Sequence, residues 1–414
     1  MKKYLVFWLL AMLFTISCKQ KSEKPANTPI SALESSVQRL NNPTEPQSHL
    51  PRLFSNGEQL YMSWMTQKKD TSYLNFSVFD GANWLEAETI TQGNDWFINW
   101  ADFPAIAINK RGDILTSFLE KSDTATYTYD VKLNLYNAET RTWKKDFILH
   151  NDGTKSEHGF VSMRPYAGNS FMVTWLDGRE TAGKEHAEGQ MTLRGALVFE
   201  DGTIDYDTLL DERVCDCCQT TTAIGANDQI IVAYRDRSEE EVRDISVTDW
   251  TKEAGWSQPR TIGNDNWKIA GCPVNGPSID AKGDHVAVAW FTVAKGEGNV
   301  NVAFSKDGAK TFGMVSTLDK GSATGRVALQ ILSETEALVL WMEPKDEKEV
   351  LVLAKVNSAG KKISEVIISE TSPERVSGFP QLEVLNDIAF IAWTDVEGEN
   401  KSIKTAKIAL EHLN

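Results

Sequence analysis

Val286-Ala287-Val288-Ala289-Trp290 alternates small and large apolar residues and ends in an aromatic, and a later turn reads Ser305-Lys306-Asp307-Gly308-Ala309-Lys310-Thr311-Phe312. Side chains along a strand point to opposite faces at a period of two, so the first run reads as a buried strand and the second as a tight polar reversal. Ahead of them stands Gly276-Pro277-Ser278-Ile279. Proline is tolerated at the first residue of a strand, where its missing donor does least harm. The stretch from 276 onward therefore supplies a short strand, a long strand, a polar loop, a third strand, a turn and a fourth strand.

The same unit recurs. Aromatic residues closing an apolar strand occur at Trp64, Phe118, Trp175, Tyr234, Trp290, Trp341 and Trp393, at intervals of 51 to 59 residues. Short strands opened by proline precede several of them, as in Leu50-Pro51-Arg52-Leu53, Phe103-Pro104-Ala105-Ile106 and Phe379-Pro380-Gln381-Leu382. Four antiparallel strands repeated about every fifty residues define the blade of a propeller. The expected fold is all-β, a single propeller over 47–414 with seven four-stranded blades; six is the alternative count.

The turn at 305–312 resembles the Asp box of sialidase-like propellers, with Ala309 where a second glycine is usual. Ser77-Val78-Phe79-Asp80-Gly81-Ala82-Asn83-Trp84 looks like a degenerate copy. In such a turn the aspartate caps backbone amides and the terminal aromatic packs between strands, so the motif speaks for fold rather than activity.

The first residues read Met1-Lys2-Lys3, an apolar run from Tyr4 to Ile16, then Ser17-Cys18. A basic start, a short apolar run and a small residue before the break make a secretory signal, too short to span a bilayer. The ending Thr15-Ile16-Ser17-Cys18 resembles a lipobox, which implies a signal peptide over 1–17 and lipidation of Cys18. Residues 18–46, rich in Lys, Ser, Asn, Gln and Pro, read as a flexible tether. The expectation is an exported, lipid-anchored and monomeric protein facing the periplasm or the cell surface.

The chain carries a net charge of −15, and removal of Lys2 and Lys3 with the signal makes the mature value −17. A charge of that sign opposes nucleic acid and anionic membrane surfaces as partners, leaving the lipid as the contact with a membrane.

Connections in a propeller alternate between two faces. The turns at 77–84 and 305–312 belong to one; the loops after second strands and the links between blades belong to the other. The chemically dense stretches fall on that second face. The links hold Trp96, Trp100 and Asp102, then His150, Asp152, Glu157 and His158, then Cys215, Cys217 and Cys218, then Trp267 and Cys272. The loops hold Tyr127 and Tyr129, Arg179 with His186, and Arg235-Asp236-Arg237 with Arg243-Asp244. Loops on a rigid scaffold are where binding chemistry normally sits.

Two chemistries are open. Arg179, Arg235, Arg237 and Arg326, with Asp236 among them, are either ordinary ion-pair partners or guanidinium forks for a sugar carboxylate or sulfate. Resemblance to a retaining sialidase implies a tyrosine nucleophile, Tyr127 or Tyr129, assisted by Glu157, with Asp102 or Asp152 as acid/base; Trp96, Trp100 and Trp267 would stack on sugar rings or pack beneath loops. The family opens its first blade with Arg-Ile-Pro where this chain has His49-Leu50-Pro51. Cys215, Cys217, Cys218 and Cys272 read either as two disulfides in an oxidising compartment or as a thiolate site for copper or zinc, completed by His150, His158 or His186. The carbohydrate reading, with hydrolysis as its fullest form, and the non-catalytic metal-site reading both stand at this level.

Overall fold

The structure, a computed structural model, describes residues 33–184 and 189–414. The signal segment, Cys18 and His186 lie outside them. Seven antiparallel sheets follow one another around a ring, each leading with its innermost strand. The innermost strands are Ser48–Ser55, Ile106–Ile108, His158–Pro165, Thr221–Ile224, Ser278–Lys282, Gly325–Ser333 and Gln381–Leu385. The second strands are Leu60–Lys68, Ile114–Lys121, Phe171–Asp177, Ile230–Arg235, His285–Thr292, Glu336–Lys345 and Ile388–Glu397, and each holds one of the seven aromatics. Blade 4 adds a fifth short strand, Arg260–Ile262, on the same neighbour as its fourth.

The aromatics repeat because each fills the same gap between neighbouring sheets. Trp175, Trp290 and Trp341 are fully buried, and Phe118, Tyr234, Trp64 and Trp393 nearly so. Burying a large apolar side chain is worth about 1.5–3 kcal/mol, so the seven act as a distributed core. One cluster joins the first three blades through Met65, Leu119, Val131 and Trp175; another joins blades 5 and 6 through Val300, Val302 and Trp341.

The ring closes through a segment that composition assigned to the tether. Gln38–Leu40 is the outermost strand of blade 7, pairing Gln38 with Lys407, Arg39 with Ala406 and Leu40 with Thr405. Arg39 also lies over the Trp393 ring at 4.8 Å, and Leu33 is buried beside the last two blades. The propeller thus begins before residue 47, because pairing with a distant strand, not local apolarity, makes these residues a strand.

At the 305–312 turn, Asp307 Oδ1 accepts from the Thr311 amide at 2.9 Å and from the Ser305 hydroxyl at 2.7 Å, while Oδ2 accepts from the Thr311 hydroxyl at 2.6 Å. Ala309, at the position a glycine would suit, takes a φ of 62°. Its amide is held by Ser305 Oγ at 3.0 Å. At 77–84 the corresponding Asp80 accepts from Ala82 and Asn83 amides at 2.8 and 2.7 Å.

Candidate functional site

The link after the fourth strand of blade 3 carries Cys215, whose amide donates to the Arg235 carbonyl at 3.0 Å. That bond folds the link inward and buries Cys215 and Cys218, with Cys217 half-buried and Cys272 exposed. All four are free thiols. Cys215 Sγ lies 3.5 Å from Cys218 Sγ and 3.8 Å from Cys217 Sγ, and one sulfur from each of the three falls within 4.8 Å of the others. Cys272 comes in from the next link and hydrogen-bonds Cys217.

These separations discriminate. A disulfide holds its sulfurs about 2.05 Å apart. Four sulfurs at about 2.3 Å from one tetrahedral ion stand roughly 3.8 Å apart. The electrostatics single out one thiolate: burial opposes ionisation of Cys215, but the hydrogen bonds from Cys217 and Cys218 and the charges of Arg243 and Arg235 outweigh it and hold the thiol well below its ordinary value, while the hydrogen bond to Cys215 pushes Cys217 up and burial pushes Cys218 up. Arg243 Nη1 sits 3.3 Å from Cys215 Sγ. The hydrogen bond from Cys217 lowers Cys272 to about 7 against the opposing effect of burial.

A second cluster lies one blade earlier. Of the two candidate tyrosines, Tyr127 is exposed at the rim, whereas Tyr129 is buried and stacks on Phe97 at 4.1 Å. The Tyr129 hydroxyl lies 2.7 Å from Glu157 Oε1 and 3.0 Å from Asp102 Oδ2. One hydroxyl has one proton, so it can donate to only one carboxylate, and the other carboxyl must itself be protonated to donate in return. Burial supplies that proton. It raises Asp102 to about 7 despite the Phe160 amide and the Tyr129 hydroxyl, and raises Glu157 to about 8 with help from the charges of Asp102, Asp216 and Cys272. Asp102 Oδ1 accepts from the Phe160 amide at 2.7 Å, so Asp102 is the better acceptor and Glu157 the first to hold the proton. The neighbouring position must be glycine, since a Cβ on Gly159 would stand 1.9 Å from Asp102 Oδ2.

His150 and His158 do not join the thiols. They group with Asp130, and His158 also with Asp152 and Asp177. Asp152 accepts from His150 Nδ1 at 2.8 Å and so belongs to this histidine cluster, apart from the tyrosine.

The arginines are placed differently from a substrate fork. Arg235 is 2% exposed and donates to the carbonyls of Asn275, Arg243 and Phe291. Arg326 is buried, donates to Ser377 Oγ and the Gly378 carbonyl at 2.8 Å each, and lies over the Trp100 ring. Arg237 grips Glu241 and Asp216, and Arg179 grips Asp177 through Nε and Nη2 at 2.7 Å each. Asp236 is held by the Arg237 amide and the Ser246 hydroxyl. With their donors aimed at their own chain, these groups brace loops instead of converging on open solvent. The tryptophans do likewise: Trp96 packs on Phe118 at 4.2 Å, Trp100 on Phe379 at 6.0 Å, and Trp267 under Arg235 at 4.9 Å.

The central channel holds charges that sequence reasoning passed over. Arg52, Arg164 and Glu383 line a cavity of about 100 Å³ between innermost strands. That is below the roughly 300–1,000 Å³ of small-molecule pockets. Burial raises Glu383 to about 8, in spite of the nearby Arg164. The available signal was a charged residue in the middle of an innermost strand.

Fold and site together define a seven-bladed β-propeller with a thiol cluster and an acid–tyrosine cluster on its link-bearing face. No protein-family model matches the chain, and no curated protein matches it in sequence. Among solved structures it is similar to the polysaccharide lyase Uly1, with a TM-score of 0.53 and 10% identity over 87% of this chain and 90% of that one. It is similar also to a protein of unknown function from Dyadobacter fermentans DSM 18053, with a TM-score of 0.51 and 11% identity over 74% of this chain and 94% of that one. A Trypanosoma rangeli sialidase gives a TM-score of 0.48 at 9% identity, covering 80% of this chain and 56% of that one. At such identities the likeness is one of architecture.

Proposed function

We propose that this is an exported, lipid-anchored propeller whose function rests on a thiolate metal site, with Cys215, Cys217 and Cys218 as ligands and Cys272 as the outward fourth. The observation that carries this reading is the set of sulfur separations of 3.5 and 3.8 Å among free thiols. Soft thiolates select copper(I) or zinc among the common ions. The exposed position of Cys272 leaves one ligand able to swing away, which suits acceptance or delivery of an ion rather than permanent structural zinc. Metal analysis of protein purified under reducing conditions should show one equivalent of copper or zinc at the thiols, and Cys218→Ser should lose it. Recovery of two disulfides and no metal in the native protein overturns the reading. Membrane fractionation of Cys18→Ser tests the anchor.

A second reading is favoured by the Tyr129–Glu157–Asp102 cluster. Two carboxyls that titrate near neutrality beside a tyrosine are equipped for general acid–base work, and an acidic carbohydrate is the substrate class the propeller architecture brings to mind. Calorimetry with sialic acid, uronic acids and sulfated sugars tests it. Heat that is present in the native protein and absent in Glu157→Gln supports it; no heat with any of them removes it.

A further inference from the structure

We propose that Asp130, His150 and His158 form a second metal site, for a divalent first-row ion, separate from the thiols. Three elements meet there. Asp130 lies in the third strand of blade 2 (Tyr129–Asn137), His150 in the link that follows its fourth strand, and His158 opens the innermost strand of blade 3.

The two imidazoles stack nearly parallel, with centroids 3.6 Å apart and planes inclined by 7°. Two imidazolium ions would repel at that distance, so at least one ring is neutral and offers a lone pair. His150 Nδ1 is bound to Asp152 Oδ1 at 2.8 Å. A carboxylate on one ring nitrogen fixes the tautomer and leaves the other bare, the arrangement by which ligating histidines are normally oriented. The bare atom, His150 Nε2, has no hydrogen-bond partner, although the side chain is 1% exposed, and it faces Asp130 Oδ1 at 3.7 Å.

His158 is more exceptional. It is fully buried; Nδ1 has no partner, and Nε2 makes no well-aligned hydrogen bond, its nearest acceptor being Asp152 Oδ1 at 3.3 Å. A buried polar atom left unsatisfied costs about 1–3 kcal/mol, so His150 Nε2 and His158 Nδ1, one on each of two stacked rings, call for a partner. Asp130, His150 and His158 each bring one ligand atom to within 4.8 Å of the others. Two ligands at about 2.1 Å from one ion can be at most roughly 4.2 Å apart, and each imidazole lone pair lies in its ring plane, so an ion would be taken up as the two rings tilt out of their stack and the partly exposed Asp130 rotates inward.

The neighbouring set of Asp152, His158 and Asp177 is a poorer candidate. Arg179 Nη2 lies 2.7 Å from Asp177 and 3.8 Å from Asp152, so a guanidinium already balances those acids. Asp130 has no such cation upon it among the described ion pairs. Two imidazoles and one carboxylate suit zinc, iron(II) or copper(II), whereas the thiols suit softer ions. The two sites therefore differ in chemistry as well as in place.

Cobalt(II) titration with metal counting tests this on the whole reduced protein, because thiolate and imidazole–carboxylate sites give different absorption. We expect two equivalents in the native protein. Asp130→Asn and His150→Gln should each weaken one equivalent about tenfold or more while the thiolate-to-cobalt absorption persists. Cys218→Ser should keep that equivalent and lose the thiolate band. Should His150→Gln not fold, Asp130→Asn decides the matter, its aspartate being 17% exposed and the change isosteric. A native protein whose whole cobalt load disappears with Cys218→Ser, or is unchanged by Asp130→Asn, overturns the second site. Failure of the thiolate reading alone would leave one equivalent without a thiolate band.

Discussion

Replacing Arg235 by alanine should destabilise the protein by about 3–5 kcal/mol, since several buried carbonyls each lose a donor at about 1–3 kcal/mol and the side chain leaves a space behind. The side chain sits at the end of the second strand of blade 4 and donates through Nε and Nη2 to the Asn275 carbonyl at 3.0 and 2.9 Å, through Nη1 to Arg243 O at 2.6 Å, and through Nη2 to Phe291 O at 2.7 Å. Those carbonyls belong to the blade 4 loop, the link into blade 5 and the second strand of blade 5, so one guanidinium stitches two blades together. Truncation leaves buried carbonyls without donors beside an emptied space over the Trp267 ring. Lysine should rescue little, because a single ammonium cannot reproduce the planar fork. The loss should extend to chemistry, since the positive charge of Arg235 helps hold the Cys215 thiol low. Urea unfolding of wild type, Arg235→Ala and Arg235→Lys measures the first effect, and thiol alkylation rates across pH measure the second. A stability loss below about 1 kcal/mol, with impaired binding of an anionic sugar, would show that Arg235 is a ligand group after all.

The blades were legible because their signal is local and repeated: Val286 to Trp290 alternates, and six other runs end in an aromatic at the same spacing. Gln38–Leu40 was not legible, because three residues become a strand only through Lys407, Ala406 and Thr405, hundreds of positions away. The site divides in the same manner. Placing Tyr129, Glu157 and Asp102 on one face needed only the alternation of loops and links, but their mutual burial and shared proton depend on packing beneath Phe97 and against Phe160. Cys215, Cys217 and Cys218 were conspicuous by spacing alone. The arginines misled for a physical reason: sequence displays acids near a guanidinium, whereas Arg235 donates to backbone carbonyls and Arg326 to the Gly378 carbonyl and a serine hydroxyl about fifty positions away, partners that no sequence displays. Arg52, Arg164 and Glu383 were missed because a charged residue within a short strand resembles an ordinary solvent-facing position until the ring closes around it.

The shared proton at Tyr129 gives the last expectation, a stability profile whose sign is fixed. Asp102 is raised from 3.8 to about 7 chiefly by burial, so in the folded state it holds a proton that the unfolded chain releases at lower pH. A group that binds its proton more tightly when folded stabilises the fold while that proton is present in both states' acidic range, and its contribution falls as pH climbs from the unfolded value to the folded one. Across the interval from 3.8 to about 7, at about 1.4 kcal/mol per pH unit, the loss is roughly 4 kcal/mol. Asp102→Asn should remove that slope. Asparagine keeps an oxygen for the Phe160 amide and presents an amide donor to the Tyr129 oxygen, leaving the hydroxyl proton free for Glu157. Wild type should therefore lose stability relative to Asp102→Asn between pH 4 and 7, becoming the less stable of the two near neutrality. Urea midpoints of both proteins at several pH values in that range provide the measurement. Parallel profiles would mean that Asp102 is ionised throughout and that the proton between the two carboxyls resides on Glu157 alone.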